Sequence, residues 1–191
     1  STLFPYTTLF RSSIDLIENF FYGLSLMAGR LRVGDFIECD GIRGKVESIS
    51  YQSTQIITND GCVIAFLNKT LFSKNFKNMT RNHNYELLKL PVGVAYGTNV
   101  NEVRTILIEA LKPVLQETNA AGEYIADPAR DISVLFSDFG ESSVDLVVCI
   151  WVLVEEKYTL AAEAKEIIYE ALNHHHIEIP FPQRDVHLIN N

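Results

Sequence analysis

The chain has 191 residues, of which 47% are hydrophobic and 21% are charged, and its mean hydropathy is +0.08. A chain of this length buries roughly 70% of its unfolded surface, and its composition excludes disorder as a description of the whole chain. The chain has 16 Lys and Arg residues and 24 Asp and Glu residues, which gives a net charge of -8. Because a phosphate backbone is bound by a basic surface, we expect no nucleic-acid partner. The three cysteines form no CxxC pair and predict reduced thiols.

Residues 1–12 read STLFPYTTLFRS. This string resembles the in-frame translation of a widely used short-read sequencing adapter, and the chain does not begin with methionine. It has no positively charged stretch before its apolar residues and no small-residue cleavage site, so it does not fit a signal peptide. We therefore expect this segment to be non-native and further protein sequence to precede residue 13 in the natural chain.

Residues 13–32 are predicted to form an amphipathic helix. The apolar residues that recur at helical spacing are Ile14, Ile17, Phe20, Phe21, Leu24, Met27 and Leu31. The uninterrupted apolar stretch is about ten residues long, half of the roughly twenty that cross a bilayer. Two interpretations stay open at this point. The segment is the end of a membrane helix, with Arg30 and Arg32 at its cytoplasmic exit, or an ordinary amphipathic helix that packs on the next domain.

Residues 33–82 are predicted to form a small barrel or curled sheet, because short β-rich runs alternate with turn signals. The predicted strands cover residues 33–39, 45–51, 54–58 and 62–67. Asp40-Gly41 and Asp60-Gly61 are typical hairpin signals. Residues 68–82 predict a short helix or turn followed by a closing strand.

Residues 83–191 follow the order β-α-β-β-α-β, which is typical of a ferredoxin-like sandwich. The predicted strands cover residues 87–96, 132–137, 144–153, 177–179 and 185–189. The first helix begins after Asn99, which with Glu102 resembles a capping box, and it bends or ends at Pro113. The second helix is predicted over residues 159–173.

Motifs for catalysis, cofactor binding and metal binding are missing from the sequence. No Walker A, GxGxxG, GxSxG or HExxH pattern occurs. His174, His175 and His176 point in three directions on a helix, about 100° apart, so they do not share one tetrahedral ion. We expect no enzyme activity, catalytic residue, cofactor or metal.

A small basic cluster follows the predicted β-rich region. It consists of Lys69, Lys74, Lys77 and Arg81, with Phe72 and Phe76 between them. Contact with phosphate or lipid headgroups is one interpretation of this cluster, and an ordinary solvated helix surface is the simpler one.

Several segments that follow one another along the chain resemble segments of the small-conductance mechanosensitive channel (MscS) family. They are Gly29–Ile37, Asp40–Val46, Ser53-Thr54, Asp60-Gly61, Gly93–Tyr96, Phe139–Ser143 and Pro180–Val186. Leu67-Asn68-Lys69 stands where the family usually has Pro-Asn-Gly or Pro-Asn-Ser, so the proline is absent here. The resemblance covers roughly residues 19–188.

The resemblance implies an α+β architecture in three parts. Residues 13–32 would be the end of the pore helix at the membrane face, residues 33–82 a Sm-like β-barrel domain, and residues 83–191 a ferredoxin-like α/β domain. Family members are bacterial inner-membrane channels, usually homoheptamers, that open under tension and release ions and osmolytes during hypoosmotic stress. Their soluble domains form a hollow cage on the cytoplasmic side. The gate would precede residue 13, so this chain by itself would not conduct ions.

The resemblance also implies two groups of functional residues. At the helix–membrane junction they are Gly23, Arg30, Arg32 and Gly34. In the turns of the β-domain they are Gly41, Gly44, Gly61 and Asn68. We hypothesise that the two arginines hold the helix end at anionic lipid headgroups. The expected partners are copies of this chain, membrane lipid and permeating ions. The alternative is a soluble binding module with Sm-like and ferredoxin-like parts.

Overall fold

The structure, a computed structural model, describes the backbone of residues 4–184 and the side chains of residues 13–184. The chain divides between Asn84 and Tyr85 into two compact units. Each unit has an antiparallel sheet and a hydrophobic core of its own. The fold is therefore α+β, with an N-terminal helix and two sheet domains.

The first unit contains a long helix, five strands and a short second helix. Its elements are α1 (Phe4–Met27), β1 (Phe36–Cys39), β2 (Ile42–Ile49), β3 (Ser53–Thr58), β4 (Val63–Leu67), α2 (Asn68–Ser73) and β5 (Lys77–Asn78). The strand order is β4-β3-β2-β1-β5, and every pairing is antiparallel. Among the described residues, β4 and β5 remain the edges of the sheet, so the predicted curled sheet forms without closing into a barrel.

Helix α1 ends at Met27, five residues before the predicted end at Arg32. The backbone N–H groups of Arg30 and Leu31 both donate to the carbonyl of Leu26, which turns the chain out of the helix. Leu31 is thereby placed in the core, where it is 1% exposed. It packs with other buried residues of this unit: Leu26, Ile37, Cys39, Val46, Ile56, Phe66 and Leu71.

The second unit packs two helices on one face of a three-stranded sheet. Its elements are β6 (Tyr85–Val94), α3 (Val100–Leu111), a 3-10 segment (Lys112–Gln116), β7 (Ser133–Phe139), β8 (Val144–Leu153) and α4 (Lys157–His174). The strand order is β6-β8-β7. Alternate residues of the strands, with a periodic set from α3 and α4, form one buried core.

The predicted limits of α3 are confirmed. The Asn99 side chain accepts hydrogen bonds from the backbone N–H groups of Asn101 and Glu102, at 3.2 and 3.5 Å. Pro113 lies in the 3-10 segment that follows, since a proline has no N–H to continue the α-helical ladder.

The predicted strand over residues 177–179 is wrong. The backbone there is irregular, although the Ala95 N–H donates to the carbonyl of Glu178 at 3.0 Å. Pro180 and Pro182 follow within a few residues and have no N–H to donate to a ladder. The last predicted strand, residues 185–189, lies outside the described residues. The described part of the second unit is therefore β-α-β-β-α.

Candidate functional site

Helix α1 has two different faces. One carries large apolar side chains that are between 45% and 61% exposed: Ile14, Leu16, Ile17, Phe20, Phe21, Leu24 and Met27. The other carries Asn19, Gly23 and Leu26, which are buried against the β-sheet unit. No helix within residues 4–184 combines the length and the apolar character that a bilayer crossing requires. The exposed face is thus an apolar surface that no other described side chain covers.

Gly23 allows the helix to approach the sheet unit closely. A Cβ atom at this position would lie 2.5 Å from Nδ2 of Asn68 and 3.3 Å from the carbonyl oxygen of Ser50. The first distance is shorter than real Cβ contacts, so any larger residue requires the asparagine or the helix to move. The structure therefore brings two of the predicted residues, Gly23 and Asn68, into direct contact.

Asn68 uses its buried amide to join the helix to the sheet. Its side chain is fully buried, and Nδ2 donates to the carbonyls of Ser50 and Asn19 at 2.9 and 3.3 Å. Its Oδ1 accepts from the Thr54 hydroxyl at 3.0 Å. Because a buried amide is costly unless its donors and acceptor are paired, these bonds fix the position of the helix specifically.

Asn19 completes the same network from the helix side. Its Oδ1 accepts from the backbone N–H of Lys69 at 2.9 Å, and its Nδ2 donates to the carbonyl of Asp15 at 2.8 Å. The network of Asn19, Gly23, Ser50, Thr54 and Asn68, which is buried except at Ser50, is called the helix joint below. Its chemistry is that of a positional lock, since it contains no nucleophile, acid or metal ligand set.

Charged groups flank the helix joint at the surface. The Lys69 ammonium is bonded to Glu18 and lies 3.6 Å from Asp15. The hydrogen bond that the Lys69 ammonium donates to the Glu18 carboxylate is the main cause that raises the pKa of Lys69 above its ordinary value. Both partners are substantially exposed, so this pair adds orientation more than stability.

The two predicted junction arginines have different surroundings. The Arg30 guanidinium lies 4.4 Å from the centre of the Phe72 ring, and that ring packs on Tyr22. Arg32 is exposed, and its backbone N–H donates to Oδ2 of Asp35 at 2.9 Å. Gly34 follows at a φ of 94°, a left-handed conformation that glycine adopts without a steric penalty.

The remaining predicted residues lie in the sheet, away from the helix joint. Gly41 and Gly61 occupy hairpin turns at φ of 76° and 81°. Gly44 lies where β2 crosses β3 closely, and a Cβ there would be 2.5 Å from the carbonyl oxygen of Ile57. These three glycines shape the sheet and do not join one site.

Sequence reasoning missed Asn19, Ser50 and Thr54 in the helix joint. Asn19 had a signal in the sequence, because it precedes Gly23 by four residues and therefore shares its helix face. Ser50 had none. Thr54 lies in the Ser53-Thr54 segment that resembles the family, but its contact with Asn68 forms only through the folding of the sheet.

Comparison with known families decides the identity of both units. Residues 15–81 match the family described as "Mechanosensitive ion channel, beta-domain", and residues 88–179 match "Mechanosensitive ion channel MscS, C-terminal". The chain belongs to the MscS family. Members of this family are channels rather than enzymes, and they are membrane proteins.

Individual relatives agree with this assignment. An uncharacterized MscS family protein of Synechocystis is 35% identical over 87% of this chain and 53% of its own length. A small-conductance mechanosensitive channel of Helicobacter pylori is 28% identical over 82% of this chain and 54% of its own length. The closed-state crystal structure of Helicobacter pylori MscS is 26% identical, covers 100% of this chain and 75% of that chain, and has a TM-score of 0.74. The chain spans roughly half of the curated relatives named here.

Proposed function

We propose that this chain forms the cytoplasmic part of a channel of the bacterial inner membrane that opens under tension. The channel would be a homo-oligomer, a heptamer by resemblance to the family, and would release ions and osmolytes during hypoosmotic stress. The observation that carries this proposal is the helix joint. It fixes one face of α1 on the β-sheet unit while the opposite, apolar face stays exposed.

The two faces of α1 suit the end of a pore helix that lies along the membrane face. The exposed apolar side chains would contact lipid or other helices of the channel, and the residues from Gly23 to Gly34 would form the junction. The gate would lie outside the described residues. In this arrangement the joint determines where the end of the pore helix stands relative to the β-sheet unit.

Tension would act through the difference in membrane area between a closed and an open state. A contact shifts that equilibrium only if it differs between the two states. One solved structure to which this chain is similar, that of Helicobacter pylori MscS, is described as a closed state. We therefore assign the helix joint to the closed conformation, where its bonds would oppose opening.

A chimera tests the proposal. Residues 13–191 would replace the equivalent part of the Helicobacter pylori channel, and membrane patches would be recorded under increasing suction. We expect a current that appears above a defined tension, as in the parent Helicobacter channel recorded beside it. A chimera that assembles in the membrane and stays silent up to the tension that breaks the patch would contradict the proposal and favour a binding module.

A further inference from the structure

A small cavity lies beside the chain segment that connects α1 to β1. It has a volume of about 200 Å³ and is lined by Arg32, Asp35, Thr80 and Arg81. One water occupies roughly 30 Å³ in the liquid, so the cavity has room for a tetrahedral group with its oxygens. Both arginines are exposed to solvent. This cavity is called the arginine pocket below.

The two arginines of the pocket differ from four other basic side chains of the first unit, each of which has a partner. Lys69 pairs with Glu18, Lys74 with Asp40, and Lys77 with Glu38. Arg30 lies on the Phe72 ring. Within the part of the chain that the structure describes, neither Arg32 nor Arg81 has a side-chain ion pair.

Asp35 lines the pocket without neutralising either guanidinium. Its Oδ2 accepts from the backbone N–H of Arg32 at 2.9 Å and from Nδ2 of Asn78 at 2.6 Å. The carboxylate therefore stabilises the turn between Arg32 and Asp35. Thr80 likewise holds the wall, because its Oγ1 accepts from the Phe36 N–H at 3.0 Å. Two guanidinium groups against one carboxylate leave the pocket with a net positive charge.

We propose that the arginine pocket binds a phosphate group between Arg32 and Arg81. A guanidinium presents a planar set of donors that matches phosphate oxygens in pairs, and two of them around one cavity satisfy a dianion or a phosphodiester. The source of the phosphate is either a lipid headgroup or a free phosphate. The lipid form of this proposal rests on the proposed function, since it needs α1 at a membrane face.

Binding measurements on this chain test the proposal without a channel. Inorganic phosphate would be titrated into the chain by calorimetry. Flotation with phosphatidylcholine vesicles, with and without phosphatidylglycerol, would measure the contribution of an anionic phosphodiester. The variants are Arg32→Gln, Arg81→Gln and the double variant. Lys89→Gln and Arg184→Gln are the controls, because each removes one exposed positive charge outside the pocket.

We expect each pocket variant to weaken binding about tenfold, as loss of one charge-assisted contact does, and each control to change it less than twofold. Loss of phosphate binding, of phosphatidylglycerol-dependent flotation, or of both supports the site and identifies its source. Pocket variants that bind like the parent overturn it. Equal weakening by Arg184→Gln overturns it too, because diffuse charge would then explain the binding. Neither result depends on tension, so a failed pocket and a failed channel remain distinguishable.

Discussion

The two units of this chain bury their apolar residues to different degrees. Among the described residues, the core of the second unit has twenty buried residues, whereas the core of the first unit has eight. The first unit also leaves a row of large apolar residues of α1 in solvent and fixes that helix through buried asparagines. An extensive apolar core supports the second unit by itself. A polar joint beneath an exposed apolar face suits the moving connection that the proposed function requires.

The charges of the two units differ as well. Residues 1–84 carry nine Lys and Arg and seven Asp and Glu, while residues 85–191 carry seven and seventeen. The overall net charge of -8 therefore comes from the second unit. The first unit is slightly basic, which suits the neighbourhood of anionic headgroups. We propose that the acidic second unit affects which ions collect near it.

The largest effect is expected from the core of the second unit. Leu107 of α3 is fully buried, so Leu107→Ala should lower the free energy of unfolding of that unit by about 2–5 kcal/mol. Leu24→Ala is the matched control on the exposed face of α1 and should cost little in the isolated chain. Urea unfolding followed by circular dichroism measures both. Similar losses for the two variants would contradict the comparison between the units.

The next effect is expected at the buried amide of the helix joint. Asn68→Ala leaves the carbonyls of Ser50 and Asn19 and the Thr54 hydroxyl without their partner. Each of these groups that water does not reach should lower the free energy of unfolding by about 1–3 kcal/mol. Asn75→Ala, at an exposed asparagine, is the control. Hydrogen exchange should show faster opening of α1 after the first change alone. Unchanged protection of the helix amides would show that the amide does not fix the helix.

A smaller effect is expected at the close approach of the helix. Gly23→Ala places a methyl group against the Asn68 amide and should cost about 1–3 kcal/mol. Gly29→Ala is the matched control, because a Cβ there meets nothing within 4 Å. Thermal unfolding compares the two. If Gly29→Ala destabilises the chain as much as Gly23→Ala does, the close contact with Asn68 does not explain the loss.

The smallest effect is expected from the pair beside the joint and depends on pH. The folded state raises the pKa of Lys69 above its ordinary 10.5, chiefly through Glu18. The pair therefore contributes fully below pH 10.5, and its contribution is lost as the pH rises through the higher folded pKa. Unfolding midpoints of the parent and Lys69→Met should differ at neutral pH and converge at strongly alkaline pH. A difference between the two midpoints that stays constant with pH would show that the charge of Lys69 has no role.

Much of the fold could be predicted from the sequence because local signals agreed with the tertiary structure. Alternating residues and Asp-Gly turns identified the sheet of the first unit, and Asn99 and Pro113 marked the limits of α3. The end of α1 could not be predicted, because it depends on the burial of Leu31 in a distant core. The prediction of a strand over residues 177–179 was wrong, because the single hydrogen bond from the Ala95 N–H to the Glu178 carbonyl does not make a ladder.

The candidate site could be predicted only in part. Gly23 and Asn68 were named by their resemblance to family positions, and the structure shows why they belong together, because one fills the space beside the other. Arg30 and Arg32 were treated as equivalent from their positions in the sequence. Their surroundings separate them, since only the tertiary structure places Phe72 under Arg30 and Arg81 beside the same cavity as Arg32.

We propose that the helix joint couples α1, as the end of a pore helix, to the β-sheet unit. The most direct test is the open probability as a function of membrane tension for the chimeric channel, carrying either Gly23→Ala or Gly29→Ala. Because the joint is assigned to the closed state, Gly23→Ala should open at lower tension than the parent, and Gly29→Ala should follow the parent curve. Coincident curves for all three channels would contradict the claim.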